Sequence, residues 1–229
     1  NDFDALNAYV TRCQSFLQTT RSDNEVLLYY PVYDRFSNPG NEMIEHFDGI
    51  GRQFENTTFE YAAKFMLENG YTFDFISDAQ LKKVKWQNGS LTTEGNSRYK
   101  TIVIPHCNFI PLATFQKFIA LADEGAAVIL LQGAPSSVSG FAGFEQNRDA
   151  FEKILEQLSP QKNAMGVSAT EIGSGRVLEG DSLGVLLDDA GIRRETMTDA
   201  GINFIRKKDD KGNALYFISN RKEATFDGW

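Results

Sequence analysis

Three apolar runs constrain the fold of this chain more than any other feature. Val26-Leu27-Leu28-Tyr29-Tyr30, Thr101-Ile102-Val103-Ile104 and Ala127-Val128-Ile129-Leu130-Leu131 show no alternation of polar and apolar residues. Unbroken runs of this kind mark strands covered on both faces, the situation of a parallel sheet. Between the second and third run, Phe115, Phe118, Ile119 and Ala122 recur at helical spacing and Gly125 closes the segment. Strand, helix and strand within about 30 residues make a βαβ unit. The sequence therefore predicts an α/β fold, doubly wound around a mostly parallel sheet, with β-hairpin additions and one domain over residues 1–229.

The remaining segments fit around that sheet. Phe3, Leu6, Tyr9, Val10, Cys13, Phe16 and Leu17 fall on one face of a helix running to about Gln18, and such a stripe must pack on something. On that stripe Cys13 is expected to be a buried free thiol. Residues 32–54 are rich in turn formers and read as a long loop with one helical turn around Glu42 to Phe47. A helix is expected over 58–69, a strand over 72–76, and a capping box at Ser77 and Gln80. Asn88-Gly89 marks a hairpin within 84–92. After a Gly/Ser/Ala-rich loop at 132–145 come a helix from about Arg148 to Leu158, a strand at 175–179 and a helix through Leu183, Leu186, Leu187 and Ala190 capped by Gly191. A hairpin of 202–207 with 214–219 closes the pattern. The opening at Asn1 and the close at Trp229 lead us to expect a segment excised from a larger multidomain protein.

Charge and motifs exclude several function classes. The net charge is −8, which argues against nucleic acid as a partner. No apolar run approaches the ~20 residues needed to cross a bilayer, so no membrane partner is expected. Gly49-Ile50-Gly51 and Gly173-Ser174-Gly175 lack the third glycine of a dinucleotide fingerprint, and no Walker phosphate loop occurs. No cofactor and no metal site is expected. Cys13 and Cys107 are the two cysteines, and they make no disulfide framework in a chain this long.

Open α/β sheets place ligands outside the carboxyl ends of their strands. The candidate cleft there comprises Tyr33, Asp34, Asp78, His106, Asn108 and Gln132. His106 and Cys107 are a tempting base and nucleophile, yet adjacent residues in extended backbone point to opposite sides. Around Ser139 the preceding partner is Ser137 instead of the glycine that a strained nucleophile elbow requires. No catalytic residue is assigned. Asp188-Asp189 and Asp209-Asp210 read as solvated charge. Residues 193–223 hold eight basic and five acidic side chains, a basic edge that also reads as a solvated hairpin.

Family resemblance goes further than the motifs. Ala8-Tyr9-Val10-Thr11-Arg12-Cys13 leading into Val26-Leu27-Leu28-Tyr29-Tyr30-Pro31, Gly70-Tyr71-Thr72-Phe73-Asp74-Phe75-Ile76-Ser77-Asp78, Tyr99 to Pro105, Phe118 to Ala127 and Ala214-Leu215-Tyr216-Phe217-Ile218-Ser219-Asn220 together resemble one region of the bacterial glycoside hydrolases of family 106, the α-L-rhamnosidase type. The resemblance implies a flavodoxin-like, amidotransferase-like domain that follows a catalytic (β/α)₈ barrel and is also seen in trimer-forming β-galactosidases. Amidotransferase relatives carry a cysteine elbow after the strand matching Ala127 to Leu131, whereas Gln132 to Pro135 has none. The implied role is a non-catalytic accessory domain of a carbohydrate-degrading enzyme, with the barrel of the parent polypeptide as partner and a periplasmic or secreted bacterial setting. Carbohydrate and a second copy of the chain are further candidate partners. The alternatives are a small amidotransferase- or peptidase-like enzyme using Cys107 with His106 or His46, and a sugar-binding or oligomer-forming module.

Overall fold

The computed structural model describes residues 2–37, 54–163 and 166–220. Helix α1 (Asp2–Gln18) leads through β1 (Arg21–Ser22) into β2 (Val26–Tyr29). Helices α2 (Val32–Ser37) and α3 (Thr58–Glu68) precede β3 (Phe73–Ile76), the one-turn helix α4 (Asp78–Leu81) and a meander of β4 (Lys85–Gln87), β5 (Ser90–Thr92) and β6 (Arg98–Tyr99). Next come β7 (Thr101–Pro105), β8 (Phe109–Ile110), α5 (Leu112–Glu124), β9 (Ala127–Leu131) and β10 (Ser137–Val138). The chain continues through α6 (Phe144–Gln157), β11 (Gln161–Lys162), β12 (Ser168–Ile172), β13 (Gly175–Gly180) and α7 (Leu183–Asp189) to the hairpin of β14 (Ile202–Lys208) and β15 (Ala214–Asn220).

A seven-stranded sheet in the order β11-β12-β13-β9-β7-β2-β3 organises these elements. Strands β3, β2, β7, β9 and β13 run parallel, and β12 and β11 extend the far edge antiparallel. Numbered along the chain, the parallel strands stand in the order 2-1-3-4-5, so chain direction across the sheet reverses between β2 and β7. Side chains of successive residues alternate between two cores. Leu27, Tyr29, Ile102, Ile104, Val128 and Leu130 face α5, α6 and the meander. Val26, Leu28, Val103, Ile129 and Leu131 face α3 and α7. Helices thus cover both faces, which is why the three runs show no polar alternation. Burying each such side chain stabilises the fold by ~1.5–3 kcal/mol.

Local signals are met closely in several places. Ser77 and Gln80 form the reciprocal capping box of α4. Asn88 and Gly89 both take positive φ, 52° and 71°, in the β4–β5 turn, as a type I′ hairpin requires. The turn of Gly173-Ser174-Gly175 lies directly on the end of α5. A Cβ on Gly173 would sit 2.3 Å from the Asp123 carbonyl oxygen, and one on Gly175 would sit 2.4 Å from the carbonyls of Ala122 and Ala126. Only glycine lets β12 and β13 approach that closely.

Other expectations need correction. The loop expected from residue 32 begins with helix α2, and α6 starts at Phe144, ahead of Arg148. The expected helical turn at Glu42 to Phe47, the Gly49/Gly51 pair, His46 and Trp229 lie outside the described residues. Cys13 is half-buried, because no residue of α1 is fully buried. Asp189 is not solvated charge: its side chain is 4% exposed and pairs with Arg176 at 3.0 Å, and it also accepts from the Asn163 amide. Nor is the basic hairpin simply solvated. Arg206, 11% exposed, faces Asp23 at 3.0 Å, Glu195 at 2.9 Å and Glu25 at 3.5 Å, and this cluster ties β14 to the segment leading into β2. Asp209 is half-buried and structural, since its carboxylate accepts from the backbone N–H groups of Lys211 and Asn213.

Candidate functional site

The carboxyl ends of β2 and β7 flank the point where the sheet order reverses, and the predicted residues gather there in two groups. Asp78 opens α4 beyond the end of β3. Its Oδ1 accepts from the Tyr29 hydroxyl at 3.1 Å and from the Thr114 hydroxyl at 2.5 Å. Burial, with the Asp78 charge next in importance, holds the Tyr29 phenol well above its ordinary pKa. Tyr33 on α2 is raised in the same direction, by burial first and Asp78 second. Asp34, also on α2, accepts from the backbone N–H of Asn108 at 2.8 Å and of Phe109 at 2.7 Å. That carboxylate pins the loop after β7 to the element after β2.

His106 and Gln132 form the second group, over the ends of β7 and β9. His106 Nδ1 lies 3.0 Å from the Ala134 carbonyl oxygen. A carbonyl only accepts, so Nδ1 carries the proton of this contact. Gln132 has φ +61°, a left-handed conformation uncommon for a residue with a long side chain. Its backbone N–H donates to Gly180 at the end of β13, and its side-chain oxygen accepts from the Thr58 hydroxyl at 2.8 Å. Gly133 follows with φ +99°. A left-handed residue followed by a positive-φ glycine turns the chain sharply at the end of β9, with a carboxamide at the corner.

These arrangements use their acids as anchors. Asp34 and Asp78 each hold donors from a neighbouring element. Cys107 is buried beneath the same loop, and burial first, then the charges of Asp34 and Asp78, push its thiol far above the usual range. A thiol held protonated is a poor nucleophile. The backbone before Ser139 lies in a two-stranded ladder, Ser137 and Val138 pairing with Phe109 and Ile110, and the Ser139 N–H donates to the Ile110 carbonyl. Among the described residues no group of three or more His, Cys, Asp or Glu converges as metal ligands would. Side chains facing outward at the strand ends are Asn108 and Gln132, with Tyr33 and His106 half-buried beside them.

Thr58 and Thr114 belong to these groups and were not anticipated. Thr58 follows the N-cap Thr57 of α3, whose hydroxyl accepts from the Glu60 N–H, and Thr114 lies in the first turn of α5. Their sequence signals concern helix starts, and only the sheet order brings them to Gln132 and Asp78.

Comparison with known proteins places this arrangement. The profile of glycoside hydrolase family 106, alpha-L-rhamnosidase, matches residues 1–227. A protein of Formosa agariphila named "Putative beta-glucuronidase" is 26% identical over 234 residues, covering 97% of this chain and 17% of that relative. The rhamnosidase from Novosphingobium sp. PP1Y superposes with a TM-score of 0.63 at 22% identity, over 94% of this chain and 19% of that one. A beta-galactosidase from Rahnella sp. R3 shares the fold at a TM-score of 0.51 and 13% identity, over 88% of this chain and 36% of that one. The chain therefore spans less than a fifth of the length of the curated relative and of the rhamnosidase. With a family profile matched along nearly its whole length, this chain belongs to glycoside hydrolase family 106, the alpha-L-rhamnosidase family.

Proposed function

We propose that this chain is a non-catalytic accessory domain of a carbohydrate-degrading glycoside hydrolase. It supports a catalytic barrel supplied by a longer polypeptide, or lines that barrel's substrate cleft with its strand-end loops. The observation that carries this reading is the corner after β9. The chain turns sharply there, with φ +61° at residue 132 and +99° at residue 133, and the corner residue is Gln132, which has no nucleophilic atom. The 2-1-3-4-5 order of the parallel strands supports a flavodoxin-like, amidotransferase-like lineage for the domain. The share of the relatives that it spans, 17% and 19%, supports its being one part of a multidomain protein.

Within this reading Tyr33, Asn108 and Gln132 are the strand-end groups offered to a ligand. An aromatic ring and two carboxamides suit the hydroxyl-rich faces of a neutral sugar. His106, Asp34 and Asp78 position the loops that carry them. The test is hydrolysis of aryl α-L-rhamnosides by this chain alone. No turnover above buffer is expected. Turnover that disappears in Cys107→Ser, His106→Ala or Ser139→Ala would overturn the reading in favour of a small hydrolytic enzyme.

A further inference from the structure

An apolar surface outside the strand-end cleft is formed by α1 and the β14–β15 hairpin. Helix α1 contributes a stripe that no element among the described residues covers: Leu6 is 55% exposed and Phe16 is 59% exposed. Strand β15 stands at the edge of its three-stranded sheet, with Phe217 39% and Ile218 54% exposed. Between helix and hairpin runs a groove of about 380 Å³, floored by Cys13 and Leu17 on one side and Leu215 on the other.

Two features of this surface point to what covers it. From Ala214 to Asn220 the edge strand has no charge, no proline and no glycine. Proteins that live with an exposed edge protect it with such devices, and an unguarded apolar edge of this length invites pairing. Second, the chain is 17% of the length of one relative and 19% of another. In a polypeptide of that size the rest of the chain is tethered beside this surface at high effective concentration, which favours an intramolecular occupant over a separate partner.

From this we infer that the α1–β15 face is an intramolecular docking surface, occupied by a neighbouring domain of the longer polypeptide. That domain adds a strand to the edge of β15 and lays apolar side chains into the groove beside α1. The inference rests on the accessory-domain reading and specifies the face through which such a domain attaches. It also leaves the strand-end cleft, built on different elements, open to substrate.

Hydrogen exchange followed by mass spectrometry, on this chain alone and on the full-length product of its gene, tests the inference. Amides of 214–220 and side-chain-proximal peptides of α1 are expected to exchange at least tenfold more slowly in the full-length product. Phe217→Lys in that product is expected to remove the added protection, while the same change leaves β9 protected. Equal exchange in both proteins would overturn the inference, as would a gene product no longer than this chain. Protection of 214–220 in the isolated chain that rises with protein concentration would overturn it in favour of a second copy. These failures are separable from failure of the accessory reading, which shows itself as rhamnoside turnover by the isolated chain whatever the exchange pattern.

Discussion

The central sheet and the α1–hairpin layer use the same kinds of side chain to opposite effect. In β2, β7 and β9 the residues Leu28, Val103 and Ile129 are wholly buried between helices. In α1 and β15 the residues Phe16, Leu6 and Ile218 remain exposed. Hydrophobic spacing tells which face of an element seeks cover, and in the sheet the cover lies within this chain. In the outer layer the described residues leave that face open. The outer hairpin is held by the pairing of β14 with β1, by buried Ile202 and by a charge cluster in which Arg206 gathers Asp23, Glu25 and Glu195, and Tyr216 donates to the same Glu195 at 2.7 Å.

Substitutions can break or sharpen this contrast. The largest effect is expected in the sheet, where Leu130→Ala should cost ~2–5 kcal/mol of stability through lost burial and the cavity left behind. The matching change Phe16→Ala in α1 should stay within ~0.5 kcal/mol. Urea unfolding monitored by circular dichroism measures both, and equal losses would erase the distinction between the layers. Arg206→Ala comes next. It leaves three carboxylates facing one another without their cation, and a loss of about 2 kcal/mol is expected, because a part-buried ion cluster suffers when one sign is removed. The hairpin should become the first segment cut by protease.

A smaller effect with the opposite sign is expected at the corner after β9. Gln132→Gly removes a left-handed residue that carries a Cβ, and should raise stability by ~0.5–1 kcal/mol, seen as a higher Tm. Loss of stability there would mean that the Thr58 contact outweighs the backbone strain. The smallest effect is a pH dependence at the hairpin tip. The Asn213 side chain and the backbone N–H groups around it hold Asp209 below the usual carboxylate range. A carboxyl with a depressed pKa adds stability above the ordinary carboxylate range, and that stability is lost as pH falls through the folded-state value. NMR titration of the Gly212 amide should follow this transition, and Asn213→Ala should move it to higher pH.

Much of the fold can be read directly from the residues. Unbroken runs locate β2, β7 and β9, and Asn88-Gly89 locates the tight hairpin turn. Strand β12, Ser168-Ala169-Thr170-Glu171-Ile172, escapes such reading because it is an outer antiparallel strand of mixed polarity whose pairing is set by its neighbour β13. Helix α2 escapes because its six residues carry no capping or periodic signal of their own. At the strand ends the general position of Tyr33, Asp34, Asp78, His106, Asn108 and Gln132 follows from sheet logic. Their pairing does not. That Asp34 reaches the loop after β7, and Thr58 reaches Gln132, depends on sequence separations of 74 residues that no local pattern encodes. Asp189 misleads in the same way, since its partner Arg176 lies on β13 and appears beside it only when α7 packs on the sheet.

The division into a closed sheet and an open outer layer is tested most directly by native-state hydrogen exchange of this chain. Amides of 26–29, 101–105 and 127–131 should exchange only through global unfolding, while those of α1 and the outer edge of β15 exchange orders of magnitude faster through local opening. Comparable protection in the two layers, independent of protein concentration, would contradict the account.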